Sequence, residues 1–453
     1  AAALASLLVF PQFFLRSFAY AGIATTLLAI LGAIIALPAL LAVLGTRVNS
    51  LRVLRKASEP RETGFWSRLA TRVMSRPVAY LAGGVAILLL LGLPFFGVKF
   101  GTTDDRVLPA DAPAAQASQL LRDAFVGDES GIVTVVAPDA APSDPSLAGY
   151  AADLSQVPGV VEVLSSAGTF EAGSLSSPAT PVDSARTSPE GGTWLTVISN
   201  TDPNGSAGVE LVRAVRAVPP PLGTTVVGGA AAEFTDNQDS LQSRLPWALA
   251  LIAAATFVLL FLFTGSVVIP IKALAMNVLS LSATFGAMVW VFQQGHLQWL
   301  VGDFQVTGML DTSMPILIFA IAFGLSMDYE VFLLSRIKEE YDRSGDNTRA
   351  VAVGLQRTGR IMTAAALTLA VVFLAFVTSE VSIIKLMGLG IALAVIMDAT
   401  LVRGILVPAF MKLAGDWNWW APAPLRRLHN RIGLGEHDLP DEHVAPERIT
   451  VPA

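Results

Sequence analysis

The apolar residues of this chain are gathered into long unbroken runs rather than spaced along amphipathic elements. Seven of the runs approach or exceed the roughly 20 residues that cross a bilayer as a helix. They lie near Ala19–Leu44, Val78–Gly97, Leu245–Thr264, Val268–Phe292, Ser313–Ser335, Ile361–Thr378 and Lys385–Leu413. Residues Ala1–Phe10 read as the end of an eighth. In lipid a chain with this pattern must satisfy its backbone internally, so the runs predict a polytopic α-helical membrane protein. The opening Ala-Ala-Ala falls inside an apolar run, which reads as part of something longer.

The segment 98–243 interrupts the runs and alternates between helical and strand periods. Ala114–Phe125, Leu147–Gln156 and Ala207–Val218 read as helices. Gly131–Ala137, Val160–Leu164, Trp194–Ser199 and Thr224–Gly229 read as strands, and Leu241 lies in a polar helix leading back to the membrane. Two βαβ-like halves predict a split ferredoxin-like α+β domain. Ser165–Gly192 is rich in Ser, Pro, Gly and Thr and reads as a mobile loop.

Composition agrees with the pattern. Hydrophobic residues make up 53% of the 453 and charged residues only 15%, against about 25% charged in soluble domains. A net charge of −6 leaves no basic face for nucleic acid. There is no cysteine, which excludes disulfides and thiolate metal sites. The four histidines, His296, His429, His437 and His443, lack ligand spacing, and no Walker motif is present, so neither a metal nor ATP is expected.

Charge placement sets an orientation. Segment 45–77 carries eight basic residues: Arg47, Arg52, Arg55, Lys56, Arg61, Arg68, Arg72 and Arg76. Segment 336–360 carries six: Arg336, Lys338, Arg343, Arg349, Arg357 and Arg360. Both are expected in the cytoplasm. Segment 98–243 has eighteen Asp and Glu against six Lys and Arg and is expected outside. Trp417, Trp419 and Trp420 follow the last span as interfacial anchors. Asn347–Arg360 reads as a basic amphipathic helix on the cytoplasmic surface. The chain beyond Ala421 is rich in Pro and charge and is expected to be partly disordered.

Two span ends resemble each other. Leu37-Pro38-Ala39-Leu40-Leu41 closes at Gly45, and Val407-Pro408-Ala409-Phe410-Met411 closes at Gly415. Chance is one reading of such a match in a composition this rich in Leu, Pro and Ala. The alternative is a pair of homologous membrane halves.

Asp328 is the candidate that most needs explaining. A carboxylate this deep in a span costs roughly 2.5–3.5 kcal/mol on the lenient insertion scale. Ala320, Gly324 and Asp328 share one helical stripe, and small residues on a stripe mark close helix contact. Asp328 is therefore expected to point into the bundle, where it can exchange a proton, with the Tyr329 hydroxyl beside it. The alternative is a permanently bonded structural carboxylate. Asp398 and Arg403 lie in the last span, about 140° apart on an α-helix, and are not expected to pair. Arg403 is expected to snorkel to the cytoplasm and Asp398 to bond a neighbouring helix. Lys272 reads as a snorkelling anchor, Glu330 has no assigned role, and Glu380 and Lys385 are expected in solvent at an outer turn.

The run from Gly324 through Met327-Asp328-Tyr329-Glu330 to Glu340 resembles the MMPL family of the RND transporter superfamily. Asp398-Ala-Thr-Leu-Val-Arg403 with Pro408 and Asn418-Trp419-Trp420 is similar to that family's final span. Asp105-Arg-Val-Leu-Pro109 is similar to the entry to its outer domain. The resemblance covers essentially all of residues 1–420. It implies an RND-type helix bundle of twelve spans in two halves, each with an α+β ferredoxin-like extracytoplasmic porter domain. On that frame 1–44 is the end of the first half (part of span 5, then span 6), 45–77 a cytoplasmic linker and 78–97 span 7. Residues 98–243 are the second porter domain, 244–413 spans 8–12, and 414–453 a cytoplasmic tail.

The resemblance also implies that Asp328 and Tyr329 are the span-10 part of a proton relay, supported by Gly324 and Phe332. Asp398 and Arg403 are secondary intramembrane polar residues. The expected activity is secondary active export of lipidic or amphipathic substrates across the cell membrane, with protons as coupling ion and no cofactor. Expected partners are the bilayer, a hydrophobic or lipidic substrate, the missing first half, and a second copy or accessory proteins; nucleic acid is excluded. Two other readings share the architecture: a sterol-sensing or signalling receptor, and an accessory motor for protein export.

Overall fold

A computed structural model describes residues 2–49, 64–102, 104–124, 131–187, 191–221 and 223–432. Arg52, Arg55, Lys56 and Arg61 of the basic linker, and His437 and His443 of the tail, lie outside the described residues. Among the described residues seven helices are long and apolar enough to cross a membrane, and they fall on the seven predicted runs.

The chain begins with α1 (Ala2–Ala5) and a 3-10 turn over Ser6–Val9. The first full span is α2 (Phe13–Leu31), a π-helical stretch Gly32–Ala36 and α3 (Leu37–Leu44). An amphipathic helix α4 (Phe65–Ser75) turns at Arg76 into the next span, α5 (Pro77–Gly92). Pro77 opens α5 where a missing N–H costs nothing.

The chain leaves the bundle through β1 (Phe100–Gly101) and α6 (Pro113–Ala124). The α+β domain follows as β2 (Val133–Ala137), α7 (Ser146–Ser155), β3 (Val160–Ser165), β4 (Gly168–Glu171) and β5 (Ser174–Pro178). It continues with α8 (Pro181–Ser184), β6 (Thr193–Ser199), α9 (Ser206–Ala217) and β7 (Val226–Gly228). The sheet order is β5-β4-β3-β6-β2-β7, with every pair antiparallel. Alternate residues of β2 and β6 are buried, including Val133, Val135, Leu195 and Val197. They form one core with Leu147, Ala151 and Leu154 of α7 and Leu211, Val212 and Val215 of α9. This is the one-sided burial of an antiparallel sheet covered by helices.

The stretch expected to be a mobile loop, Ser165–Gly192, instead holds β4, β5 and α8. Its strands lie at the sheet edge and β5 is exposed along its length, so no apolar alternation marks them. The turns rest on Gly168 at φ 123° and Gly173 at φ 84°, a region open mainly to glycine. Thr180 and Asp183 close a reciprocal capping box on α8.

One continuous helix, α10 (Ala230–Thr264), runs from the sheet into the bundle. Its 35 residues span about 52 Å at 1.5 Å per residue. Arg216 pairs with Asp236 at 2.6 Å and Arg213 with Asp239 at 3.0 Å, so α9 is tied to its upper part. The bundle is completed by α11 (Val268–Met288), the short α12 (Gln298–Val301), and β8 (Leu310–Asp311), which pairs in parallel with β1. Then come α13 (Ser313–Ser344), α14 (Asn347–Ala375) and α15 (Ser382–Met397). A nine-residue π-helical stretch Asp398–Leu406, α16 (Val407–Ala414) and α17 (Ala423–Ile432) end the described chain.

One surface expectation is corrected. Asn347–Arg360 is not a separate surface helix but the first half of α14, capped by Asp346. Its small residues let it pack closely. A Cβ on Gly354 would lie 2.5 Å from Ile337, and one on Gly359 would lie 2.5 Å from Trp66 of α4. The expectation of partial disorder beyond Ala421 falls mostly outside the described residues, which are helical over Ala423–Ile432. Trp417 and Trp420 are exposed, whereas Trp419 stacks on Tyr341 with centroids 4.5 Å apart.

The two similar span ends share their backbone as well as their residues. Each has a π-helical stretch, an eight-residue α-helix opened by Pro, and a closing glycine followed by a 3-10 turn. Gly45 stands at φ 50°, ψ −134° and Gly415 at φ 53°, ψ −132°.

Candidate functional site

Near the middle of α13 the residues Ser326, Asp328, Tyr329 and Glu330 project in different directions, as about 100° per residue requires. Ser326 turns to the last span, and its hydroxyl donates to Asp398 Oδ1 at 2.8 Å. Glu330 turns to α11, where Lys272 Nζ lies 2.7 Å from its Oε1. Tyr329 lies under a guanidinium, with Arg403 Cζ 5.3 Å from its ring centroid. Asp328 is on the open face of the helix and has no hydrogen bond or ion pair among the described residues.

Arg403 is fully buried and does not snorkel. Its Nε donates to Asp398 Oδ2 at 2.8 Å, and its Nη2 reaches the Ser326 carbonyl and, at 3.3 Å, the Ser326 hydroxyl. Asp398 and Arg403 therefore do pair, against the expectation. The reason is the π-helical backbone over Asp398–Leu406. Hydrogen bonds from i to i+5 widen the turn, so residues five apart return to one side. Arg403 Nη1 alone keeps no partner among the described residues.

Three further expectations change. Lys272 is buried in an ion pair rather than anchored at an interface. Lys385 is also buried, and its Nζ donates to the Asp303 carbonyl at 2.6 Å; only Glu380 is exposed as expected. Asp328 does not point into the packed interior of this chain. Ala320 on its stripe is buried, and α1 packs at Gly324, where an added Cβ would lie 3.6 Å from Ala3 Cβ. That cover ends one helical turn before Asp328, which is exposed. Phe332 is half-buried, packed with the core at the bundle end remote from the sheet.

Toward the α+β domain a cavity of about 450 Å³ opens between α10, α11, α13 and the first residues of the chain. Its wall is almost wholly apolar, with Phe285, Phe319 and Phe323 prominent, and Gln238 and Gln242 stand among its few polar groups. Ala320 belongs both to this wall and to the Asp328 stripe. At the junction above, Arg106 Nε donates to Asp104 at 2.7 Å, and Nη1 to Asp202 at 3.2 Å. The Asp104 hydrogen bond holds the Arg106 guanidinium even further above its ordinary range.

A model of the MMPL family matches residues 106–433. The chain belongs to the MMPL family. Among its relatives is a membrane protein of Streptomyces coelicolor, 40% identical over 98% of this chain and 59% of that protein. The trehalose monomycolate exporter MmpL3 of Mycobacterium tuberculosis is 36% identical over 97% of this chain and 49% of its own length. The mycolic acid-containing lipids exporter MmpL11 of Mycolicibacterium smegmatis is 32% identical over 96% and 45%. The chain thus spans about half the length of the relatives it matches.

In this MMPL chain the sequence singles out Asp328, Tyr329, Asp398 and Arg403 but not the contacts that join the last three. Ser326 was not singled out, although it links α13 to both Asp398 and Arg403. The Lys272–Glu330 pair was missed because its members lie 58 residues apart. A usable signal was present in each case: an uncompensated charge inside an apolar run needs a partner of opposite sign or a polar ligand.

Proposed function

We propose that this chain is the relay-bearing part of a proton-motive-force-driven membrane exporter of lipidic or amphipathic molecules. The observation that carries the reading is the division of labour on α13. Ser326 and Glu330 are committed to buried partners, while Asp328, beside Tyr329, has no hydrogen bond or ion pair among the described residues. A fixed arginine–carboxylate–hydroxyl network next to one free carboxyl group suits a site where only that group gains and loses a proton. Protonation of Asp328 removes a charge from the open face of α13, which then packs differently against its neighbour. Tyr329 can relay a proton to and from it. Each proton supplies about 2.3 kcal/mol per 100 mV and about 1.4 kcal/mol per pH unit.

The apolar cavity supports the substrate class. Its volume of about 450 Å³ lies in the usual range for small-molecule sites. Apolar walls with Gln238 and Gln242 among them suit a molecule with one polar end. Because α13 lines the cavity and carries Asp328, a shift of that helix couples the two. Two of the relatives, named as exporters of trehalose monomycolate and of mycolic acid-containing lipids, point to the same class.

The α+β domain reads as a ferredoxin-like porter domain. Support comes from its β2-α7-β3…β6-α9-β7 succession and the antiparallel order β3-β6-β2-β7. Its acidic composition, against the described basic residues of α4, α13 and α14, supports an outside location on a cell membrane. The test is export of a fluorescent lipid by the intact protein in proteoliposomes under an imposed pH gradient. Export that collapses with a protonophore supports the reading; export indifferent to the gradient overturns it.

A further inference from the structure

Basic side chains at the bundle end remote from the α+β domain fall into two groups. On α13 and α14 all but Arg360 meet carboxylates within the chain. Arg336 reaches Glu339 at 2.6 Å, Lys338 meets Asp342, and Arg343 and Arg349 both meet Glu340. On α4 and α17 none does among the described residues. Arg68 and Arg72 share one stripe of α4, and Arg76 stands at the turn that closes it. All three are exposed, and none meets a carboxylate among the described residues. The opposite face of α4, with Ala70, Val73 and Met74, is buried against the bundle.

The same division runs through α17. Arg426, Arg427 and Arg431 occupy one side of the helix, exposed and without carboxylate partners among the described residues. Leu425, Leu428 and Ile432 occupy the other. The His429 ring seats α17 beneath the turn at Gly265, with its centroid 6.0 Å from that of Phe261. The seating leaves Leu428 and Ile432 uncovered, at 42% and 59% exposure. Trp417 and Trp420, stacked 5.8 Å apart just before α17, are uncovered too. So is Phe65, at the start of α4.

Unpaired arginines beside uncovered Leu, Ile, Phe and Trp, at the end of a membrane bundle, need an environment that is apolar on one side and anionic on the other. The headgroup layer of a bilayer is such an environment. We propose that α4 and α17 bind anionic phospholipid headgroups in the leaflet at this end of the bundle. The arginines meet phosphate, and Phe65, Leu428, Ile432 and the two tryptophans enter the acyl boundary. None of the relay residues takes part in this binding. Each arginine near an anionic surface strengthens binding roughly fivefold, and salt weakens it. A competing anion lies in the same chain, because residues 433–453 carry Glu436, Asp438, Asp441, Glu442 and Glu447.

The experiment is native mass spectrometry of the detergent-solubilised full chain with dioleoylphosphatidylglycerol or dioleoylphosphatidylcholine, at low and high ammonium acetate. The phosphatidylglycerol is expected to bind in excess and to be lost at high salt. Arg68→Gln/Arg72→Gln/Arg76→Gln and Arg427→Gln/Arg431→Gln should each lose it by roughly fivefold per arginine. Arg336→Gln/Arg349→Gln, at paired positions, should not. Thermal unfolding of the same samples checks that the exposed substitutions leave the fold intact. Equal binding of the two lipids, or equal loss in the control variant, overturns the proposal. So does displacement by inorganic phosphate, which makes the site one for free anions. Binding that appears only after removal of 433–453 also overturns it, because the acidic segment is then the occupant.

Discussion

Arg403 holds Asp398 at 2.8 Å across five residues of helix, a separation that an α-helix would turn to different sides. The π-helical stretch makes the pair local, and Ser326 binds it to α13. The pair is fully enclosed, so its worth lies in being complete. Removing one member leaves an uncompensated charge in the bundle, which costs about 3–5 kcal/mol. Arg403→Met should therefore lower the thermal midpoint of the purified chain sharply. Adding Asp398→Asn to that variant should restore most of the loss. A small effect of Arg403→Met, or no rescue, would mean that water or another group already compensates Asp398.

Lys272 and Glu330 make the corresponding link between α11 and α13, with side chains 1% and 5% exposed. Lys272→Met should destabilise by about 3–5 kcal/mol, whereas Lys272→Met with Glu330→Leu should come close to wild type. The check is chemical unfolding in detergent, followed by a double-mutant cycle. Additive single effects would remove the pair from the account.

His429 gives the chain a pH response outside the spans. Burial beneath Gly265, together with nearby Lys338, pushes the imidazole below its usual range. A group whose folded pKa is depressed contributes stability above its unfolded value, about 6.5, and loses it as pH falls through the folded value. The seating of α17 should thus be firm above about pH 6.5 and loosen under acid. Hydrogen exchange over residues 423–432 in detergent should rise between neutral and mildly acidic pH, and His429→Gln should flatten that rise. An unchanged slope in the variant would place the response elsewhere.

The spans were legible because bilayer length and apolar composition leave little freedom, and the motif from Gly324 to Glu340 drew attention to Asp328 and Tyr329. The partners were not legible. Ser326 meets Asp398 across 72 residues and Lys272 meets Glu330 across 58, and no local pattern encodes such pairings. The Asp398–Arg403 contact was misjudged for a different reason. Helical-wheel geometry assumes 3.6 residues per turn, and a π-helical stretch breaks that assumption. Strands β4 and β5 escaped because an exposed edge carries no hydrophobic alternation. The open position of Asp328 follows from where α1 stops, a tertiary fact with no signature along α13.

The central claim is that Asp328 carries the coupling proton while the buried network around it stays fixed. The most direct measurement is proton-coupled lipid export by the intact protein in proteoliposomes, wild type against Asp328→Asn. Asn keeps the size and a hydrogen-bonding capacity but cannot titrate. The account predicts that export is lost while insertion and thermal stability stay at wild-type levels, because Asp328 bonds no other described residue. Export that persists with its pH dependence intact would contradict it and move the relay to another residue.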